Sequence, residues 1–239
     1  MLRFFILEDQ PDILRLFKRI LQTEFSGSEI LTATTSNEAI EVLKTSLEED
    51  KPFDAAILDC RVPSNRESSA EIEYTVGEAF RDNSPQTILI HFTSYVDEVS
   101  IRSDLIRKKL RFANSRIFIQ KQPMWPEELI LALHKSIETR LEREVQAICS
   151  GQVRGAAYGG PGRDPWTAAG DATDTANYSA LCARLEELWP ILSEEFQKKI
   201  GPIFGAEMKN GKIHIGVAPD TSGAVDLTDQ LWPGGNYEL

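Results

Sequence analysis

Five polar or charged side chains stand at the ends of short apolar stretches that have the length of strands. Glu8 and Asp9 follow the first stretch, Asp59 closes a later one, and Thr93 and Lys121 follow two more. Carboxylates gathered in one place repel one another unless a cation neutralises them, and Mg2+ prefers carboxylate oxygens completed by water and phosphate oxygens. If these side chains converge, they predict a hard-metal site at which Asp59 acts as a nucleophile toward a phosphoryl group.

The pattern around these residues predicts how they are positioned. Short apolar runs alternate with amphipathic segments such as Asp12–Leu21, where apolar residues recur at helical spacing. Further helical segments, including Asp97–Phe112, separate the strand candidates. These candidates lie at Leu2–Leu7, Glu29–Ala33, Phe53–Leu58, Thr87–Phe92 and Ile117–Gln120. The alternation predicts an α/β fold with a doubly wound, five-stranded parallel sheet, whose ligand site lies at the carboxyl ends of the strands.

The remaining groups of this predicted site suit phosphoryl transfer. A transferring phosphoryl group carries its charge on its equatorial oxygens, so it needs positive charge and hydrogen-bond donors more than it needs an acid or a base. The Lys121 ammonium, the Thr93 hydroxyl and Mg2+ supply both. We therefore expect Asp59 to form an acyl phosphate.

Four segments, in this order along the chain, resemble the receiver (CheY-like) domains of the response regulators of two-component systems. They are Ile6–Gln10, Ile57–Pro63, Phe92–Ser94 and Phe118–Pro123. The resemblance covers roughly the first 145 of 239 residues and implies the flavodoxin-like receiver fold. It also implies a phosphorelay in which a histidine kinase or a phosphotransfer protein donates the phosphoryl group and a downstream protein partner responds.

The resemblance further implies a role for each acidic residue of the site. Glu8, Asp9 and Asp59 would hold Mg2+, together with the backbone carbonyl of Arg61. Asp59 would be the phosphoacceptor. Mg2+ is the only cofactor implied, and the only catalysis expected is phosphorylation and dephosphorylation of this aspartate.

Two other residues resemble the groups that respond to phosphorylation in this family. Thr93 would move its hydroxyl toward the phosphoryl group, which Lys121 would also contact. Phe118 would be the aromatic residue that turns inward when the threonine moves. The resemblance therefore predicts a switch that consists of Thr93 and Phe118.

The chain departs from the family pattern at two places. Ser64–Val76 intervenes before the third helix, so we expect an enlarged loop beside the site that covers the phosphate or supplies a partner surface. Gln122 separates Lys121 from Pro123, whereas the family usually has the lysine and the proline adjacent.

Composition favours a cytosolic protein that does not bind DNA. Hydrophobic residues make up 41% of the chain and charged residues 26%, which is typical of a soluble globular protein. The net charge of −11 opposes binding to nucleic-acid phosphates. No apolar run approaches the ~20 residues of a membrane span. Cys60, Cys149 and Cys182 are too few and too far apart for a disulfide framework or a thiolate metal site.

We predict a receiver domain at residues 1–148, a linker rich in Gly, Pro and Asp at 149–176, and a small C-terminal α+β region at 177–239. The receiver ends in a long helix from about Pro126, whose outer turns protrude or pack on something else. The last region contains a helical segment that Pro190 kinks or restarts, and a hairpin around Asn210 and Gly211. This region is marginal as an independent fold, so we expect it to dock on the receiver or on a partner.

The sequence leaves the function of residues 177–239 open. The leading hypothesis is a regulator that acts through protein contacts, because no basic helix-turn-helix, phosphate loop or nucleophile motif follows the linker. An alternative is a small catalytic output unit, for which Gly216–Gly223 is the one polar loop of interest. A further alternative is an interaction or assembly protein that works without phosphorylation, with the long helix pairing two chains in a homodimer.

Overall fold

The computed structural model describes residues 1–72, 75–94, 116–149, 172–204, 207–209 and 212–214. The predicted helix Asp97–Phe112, most of the predicted linker and the loop Gly216–Gly223 lie outside these residues. The chain divides into two compact units, Met1–Leu133 and His134–Leu239. This division falls before residue 148, where the sequence suggested that the receiver ends, and the domain boundaries stay predictions.

The first unit is built on a parallel sheet. Its strands are β1 (Arg3–Leu7), β2 (Glu29–Ala33), β3 (Ala55–Asp59), β4 (Arg61–Pro63), β5 (Ala70–Ile72), β6 (Ile88–Thr93) and β7 (Arg116–Gln120). Five of them form one sheet in the order β2-β1-β3-β6-β7, with parallel pairing throughout. This is the doubly wound order of flavodoxin-like folds. The predicted fold class is confirmed, and each predicted strand is present.

Helices alternate with these strands or follow the last of them. They are α1 (Pro11–Glu24), α2 (Ser36–Glu48), α3 (Thr75–Asn83) and α4 (Trp125–Cys149). The start of α2 shows how the sequence sets a boundary: the Thr35 hydroxyl accepts from the Glu38 N–H at 3.2 Å, which satisfies one orphan donor of the first turn. The Glu38 carboxylate reaches back to the N–H of Thr34 at 3.0 Å, one residue earlier than a standard capping box.

Both faces of the parallel sheet are buried, as expected for a sheet with helices on each side. One face carries a cluster that includes Phe5, Leu58 and Phe80, each almost wholly buried. A separate aromatic group consists of Phe17, Phe92 and Trp125, whose rings contact one another.

The stretch from Ser64 to Val76, which we expected to be an enlarged loop, contains β5. This strand pairs antiparallel with β4, so the insertion is a hairpin. Its turn is closed by the Asn65 carboxamide oxygen, which accepts from the N–H groups of Glu67 and Ser68 at 2.9 and 3.1 Å. The Asn37 N–H donates to the Ser64 carbonyl at 3.1 Å, which ties the hairpin to the start of α2.

The described residues of the second unit are mainly helical. This unit contains the later turns of α4, followed by α5 (Ala172–Leu188), a 3-10 turn (Trp189–Ile191), α6 (Glu194–Phe204) and a hairpin of β8 (Glu207–Lys209) and β9 (Lys212–His214). The interruption expected at Pro190 and the predicted hairpin are both present. However, α5 begins at Ala172, within the predicted linker, so the last residues of that segment are helical.

The outer turns of α4 pack within this second unit. Glu144 pairs with Arg184 at 3.3 Å and Glu142 with Lys199 at 2.6 Å. Buried leucines of α5, among them Leu185, contribute to an apolar interior. Among the helices that the structure describes, none combines the length and the apolar character needed to cross a membrane. The cytosolic location stays a prediction.

Candidate functional site

The residues singled out by the sequence lie where strands of the parallel sheet end. Asp59 closes β3 and Thr93 closes β6, while Glu8 and Lys121 directly follow β1 and β7. Glu8 and Lys121 are still hydrogen-bonded to the neighbouring strands through their backbones. Glu8 N–H donates to the Ala33 carbonyl at 3.1 Å and Lys121 N–H to the Thr93 carbonyl at 2.9 Å. The strand ends therefore present these side chains from a fixed backbone.

Lys121 joins the two buried carboxylates of the site. Its Nζ lies 2.7 Å from Asp59 Oδ2 and 2.9 Å from Glu8 Oε2. The Glu8 side chain is 0% exposed, that of Asp59 4% and that of Lys121 9%. Because water is nearly excluded, these charges interact in a medium of lower effective dielectric than bulk solvent.

Asp9 completes an acidic group with Glu8 and Asp59. Each of the three can offer an oxygen such that all of these atoms lie within 4.8 Å of one another. Backbone N–H groups orient the two buried carboxylates: Arg61 donates to Asp59 Oδ1 at 3.1 Å and Gln10 to Glu8 Oε1 at 3.2 Å. The proposed contribution of the Arg61 carbonyl stays a prediction.

The protonation of the site reflects burial and crowding of charge. Burial, and next the charge of Asp59, raise the pKa of Glu8 to about 7, although Lys121 opposes the shift. Burial also raises the pKa of Asp59 against the influence of Lys121. Burial alone would lower the pKa of Lys121, but its pairing with Asp59 and Glu8 outweighs this, and the net pKa is raised. One ammonium therefore does not offset the negative charge that this pocket holds.

The residues present fit a divalent cation. Three carboxylates within reach of one point are the donor type that Mg2+ selects. Burial, and next the charge of Asp59, hold the pKa of Glu8 high even though Lys121 opposes the shift. A cation at this point would neutralise that charge directly. Glu8, Asp9 and Asp59 are the residues that would hold it.

The two residues of the predicted switch lie on adjacent strands. Thr93 is fully buried at the end of β6. Phe118 lies on β7, opposite His91 in the register of the two strands, but its side chain is outside the part of the chain that the structure describes. The switching role of Thr93 and Phe118 stays a prediction.

An aromatic residue beside the site escaped the sequence interpretation. Lys121 Nζ lies over the ring of Phe92, 5.0 Å from its centroid. Phe92 precedes Thr93 and pairs with Asp59 in the register of β3 and β6, so the two side chains share a face of the sheet. The sequence marks Phe92 only as a residue of a buried strand, and the register of β3 and β6 is what brings its side chain to the site.

Cys60, next to the phosphoacceptor candidate, is not a second nucleophile. Its side chain is 1% exposed, and burial, then the nearby charge of Asp59, raise the pKa of the thiol to about 12. Its sulfur lies 3.9 Å from His91 Nδ1. The thiol therefore stays protonated and inert at physiological pH.

Comparison with solved structures finds similarity to receiver domains over a little more than half of the chain. A response regulator receiver domain from Clostridium thermocellum is 19% identical, with 59% of this chain and 97% of that chain covered and a TM-score of 0.44. The Vibrio cholerae chemotaxis protein CheY4 is 20% identical over 57% of this chain and 98% of its own, with a TM-score of 0.43.

A third similar structure is the receiver domain of a sensor histidine kinase from Pseudomonas aeruginosa, described with a magnesium ion coordinated in its active site cleft. It is 19% identical, and the similarity covers 57% of this chain and 97% of that one with a TM-score of 0.42. No family model matches the chain, and no curated protein matches it. Receiver domains thus recur among the solved structures to which this chain is similar.

Proposed function

We propose that this chain is a response regulator of a two-component phosphorelay, which accepts a phosphoryl group on Asp59 in a Mg2+-dependent reaction. The observation that carries the proposal is the position of Asp59, 2.7 Å from the Lys121 ammonium and within 4.8 Å of Glu8 and Asp9. A nucleophilic carboxylate, a cation for the transferred oxygens and a set of metal ligands then meet at the strand ends of a doubly wound sheet.

The two oxygens of Asp59 have different surroundings, and this asymmetry suits the reaction. The Arg61 N–H donates to Oδ1 and fixes the plane of the carboxylate, while Oδ2 faces Lys121. An Asp59 oxygen attacks phosphorus and forms the new O–P bond, and the bond from phosphorus to the donor nitrogen or oxygen breaks with its electron pair staying on the donor. Mg2+, when bound, supplies positive charge to the carboxylates and to the phosphoryl oxygens.

Lys121 then exchanges one anionic partner for another. Before transfer its ammonium neutralises Asp59 and Glu8 at 2.7 and 2.9 Å. After transfer one Asp59 oxygen is bonded to phosphorus in an acyl phosphate, so the ammonium can donate to a phosphoryl oxygen instead. The Thr93 hydroxyl, at the end of the neighbouring strand, is the second donor of this proposal.

We propose that the phosphorylated chain acts through protein contacts and has no catalytic activity beyond its own phosphorylation and dephosphorylation. The net charge of −11 opposes DNA as the partner. A histidine kinase or phosphotransfer protein is the expected donor, because a phosphohistidine supplies the labile phosphorus–nitrogen bond that the reaction breaks.

The full chain with acetyl phosphate and Mg2+ provides the test. Intact mass spectrometry should show the mass of one added phosphoryl group, and neither EDTA-treated protein nor Asp59→Asn should gain it. Asp12→Asn is the matched control, since Asp12 is an exposed aspartate of α1, and it should be phosphorylated like the wild type. Full modification of Asp59→Asn, or none of the wild type, would defeat the proposal.

A further inference from the structure

The Lys121 ammonium lies between charged groups and an aromatic ring. The carboxylates of Asp59 and Glu8 are its ion-pair partners, and the ring of Phe92 lies 5.0 Å away, centroid to Nζ. This distance is within the ~6 Å at which a cation is attracted to the negative face of a ring. The attraction is strongest where water is excluded, and Phe92 is 1% exposed.

Two further aromatic side chains hold the Phe92 ring. Phe17 of α1 meets it edge to face, with centroids 4.8 Å apart and an interplanar angle of 72°. Trp125, the first residue of α4, meets it at 4.9 Å and 63°. Phe17 and Trp125 also contact each other at 4.7 Å. The orientation of Phe92 is therefore fixed by side chains from α1 and α4, and turning the ring would disrupt two favourable aromatic contacts.

A lysine needs such support at this site. Its side chain has four rotatable bonds and loses rotamer entropy when it is held in one geometry. Its anionic partners also change during phosphoryl transfer, because Asp59 becomes an acyl phosphate in which one of its oxygens is bonded to phosphorus. A ring face attracts the ammonium in both states, since the aromatic quadrupole is unaffected by the reaction.

We propose that Phe92 is a positioning residue, whose ring holds the Lys121 ammonium beside Asp59 and is itself held by Phe17 and Trp125. The catalytic consequence rests on the function proposed above, in which Lys121 assists transfer to Asp59. The contact itself is independent of that function and can be measured separately.

The catalytic consequence can be tested without changing the packing. Site-specific replacement of Phe92 by mono-, di- and trifluorophenylalanine weakens the negative ring face stepwise while nearly preserving the volume of the side chain. With acetyl phosphate and Mg2+, the phosphorylation rate of the full chain should fall with each fluorine, to a total of about 5- to 30-fold. A merely structural role of Phe92 would leave the rate unchanged across the series.

Phe80 provides the matched control. It is 0% exposed and packs against Phe5 and Phe53 at 5.4 and 6.1 Å, on the face of the sheet away from Lys121. The same fluorinated residues at Phe80 should leave the phosphorylation rate unchanged. A rate that is equally low at both positions would overturn the proposal.

Nuclear magnetic resonance of the unphosphorylated chain tests the contact directly. The ε-methylene protons of Lys121, assigned by comparison with Lys121→Met, should be shifted upfield by the Phe92 ring current. The shift should disappear in Phe92→Leu and persist in Phe80→Leu. If wild-type protein is never phosphorylated, the proposed function fails, and this measurement still decides whether Phe92 positions Lys121. An ordinary ε-methylene shift in the wild type, or a flat fluorine series in protein that is phosphorylated, overturns the inference.

Discussion

Replacing Glu8 by glutamine should change how the stability of the first unit depends on pH when no divalent cation is bound. Glu8 is fully buried, and its pKa rises from 4.5 to about 7, first because of burial and next because of the charge of Asp59. The folded state therefore keeps a proton that the unfolded chain releases. Glutamine has nearly the same shape and cannot titrate, so Glu8→Gln removes this contribution.

The sign and the size follow from proton linkage. Between pH 4.5 and about 7 the folded state binds more protons than the unfolded state, so the free energy of unfolding falls as the pH rises. At 1.36 kcal/mol per pH unit the loss is about 3 kcal/mol. Asp59, whose pKa is also raised, acts in the same direction. The raised pKa of Lys121 gives stability that is lost only above its usual value of 10.5, outside this window.

Urea-induced unfolding in EDTA at several pH values between 5 and 8 measures this dependence. A brief deuterium pulse at one fixed pH, read on peptides from β1 and β3, restricts the measurement to the first unit. The wild type should lose stability across the window, and Glu8→Gln should lose much less. Saturating Mg2+ should flatten the wild-type curve, because the cation binds the folded state and favours ionised carboxylates. Glu41→Gln, which changes an exposed glutamate, should behave as the wild type. Equal slopes for Glu8→Gln and the wild type would refute the reasoning.

Three further substitutions have expected outcomes. In EDTA at pH 8, Lys121→Met should lower the free energy of unfolding by roughly 3–5 kcal/mol, as measured with urea, because Glu8 and Asp59 lose the cation between them; an unchanged midpoint would contradict this. Thr35→Ala should cost about 1 kcal/mol in the same assay through loss of the cap of α2, and Thr35→Ser should restore most of it. Arg66→Ala should cost under about 1 kcal/mol, since the ion pair between the hairpin and α2 is exposed, and a larger loss would show that this pair does more than join two surfaces.

Much of the parallel sheet and its acidic pocket could be predicted because the relevant signals are local. Strand ends are marked by apolar runs that stop at Asp59 or Thr93, and the ends of parallel strands in a doubly wound sheet meet at one edge. Local signals also predicted two features of the second unit. Pro190 interrupts a helix, and Asn210 and Gly211 predict the hairpin that contains β8 and β9.

Two local features did not follow from the sequence, each for a physical reason. The hairpin of β4 and β5 was missed because its short strands lack a periodic apolar pattern, and its turn depends on the side chain of Asn65 rather than on glycine. The start of α5 at Ala172 was missed, although the helix itself was predicted, because its first turns are rich in small and polar residues. Composition alone made them resemble a linker.

The contact between Phe92 and Lys121 also did not follow from the sequence, because it is a tertiary contact and not a local feature. It depends on the packing of Phe17 and Trp125, which lie far apart in the sequence. Apolar periodicity identifies Phe92 only as a residue of a buried strand. Its position relative to an ammonium group becomes visible once the register of the sheet is known.

The central claim, that Asp59 carries the phosphoryl group, can be tested at the level of a single residue. Reduction of an aspartyl phosphate with borohydride converts that residue to homoserine, which tandem mass spectrometry locates in the sequence. After treatment with acetyl phosphate and Mg2+, we predict homoserine at residue 59 and nowhere else. Homoserine at a different aspartate, or its absence from a fully folded wild-type chain, would contradict the account.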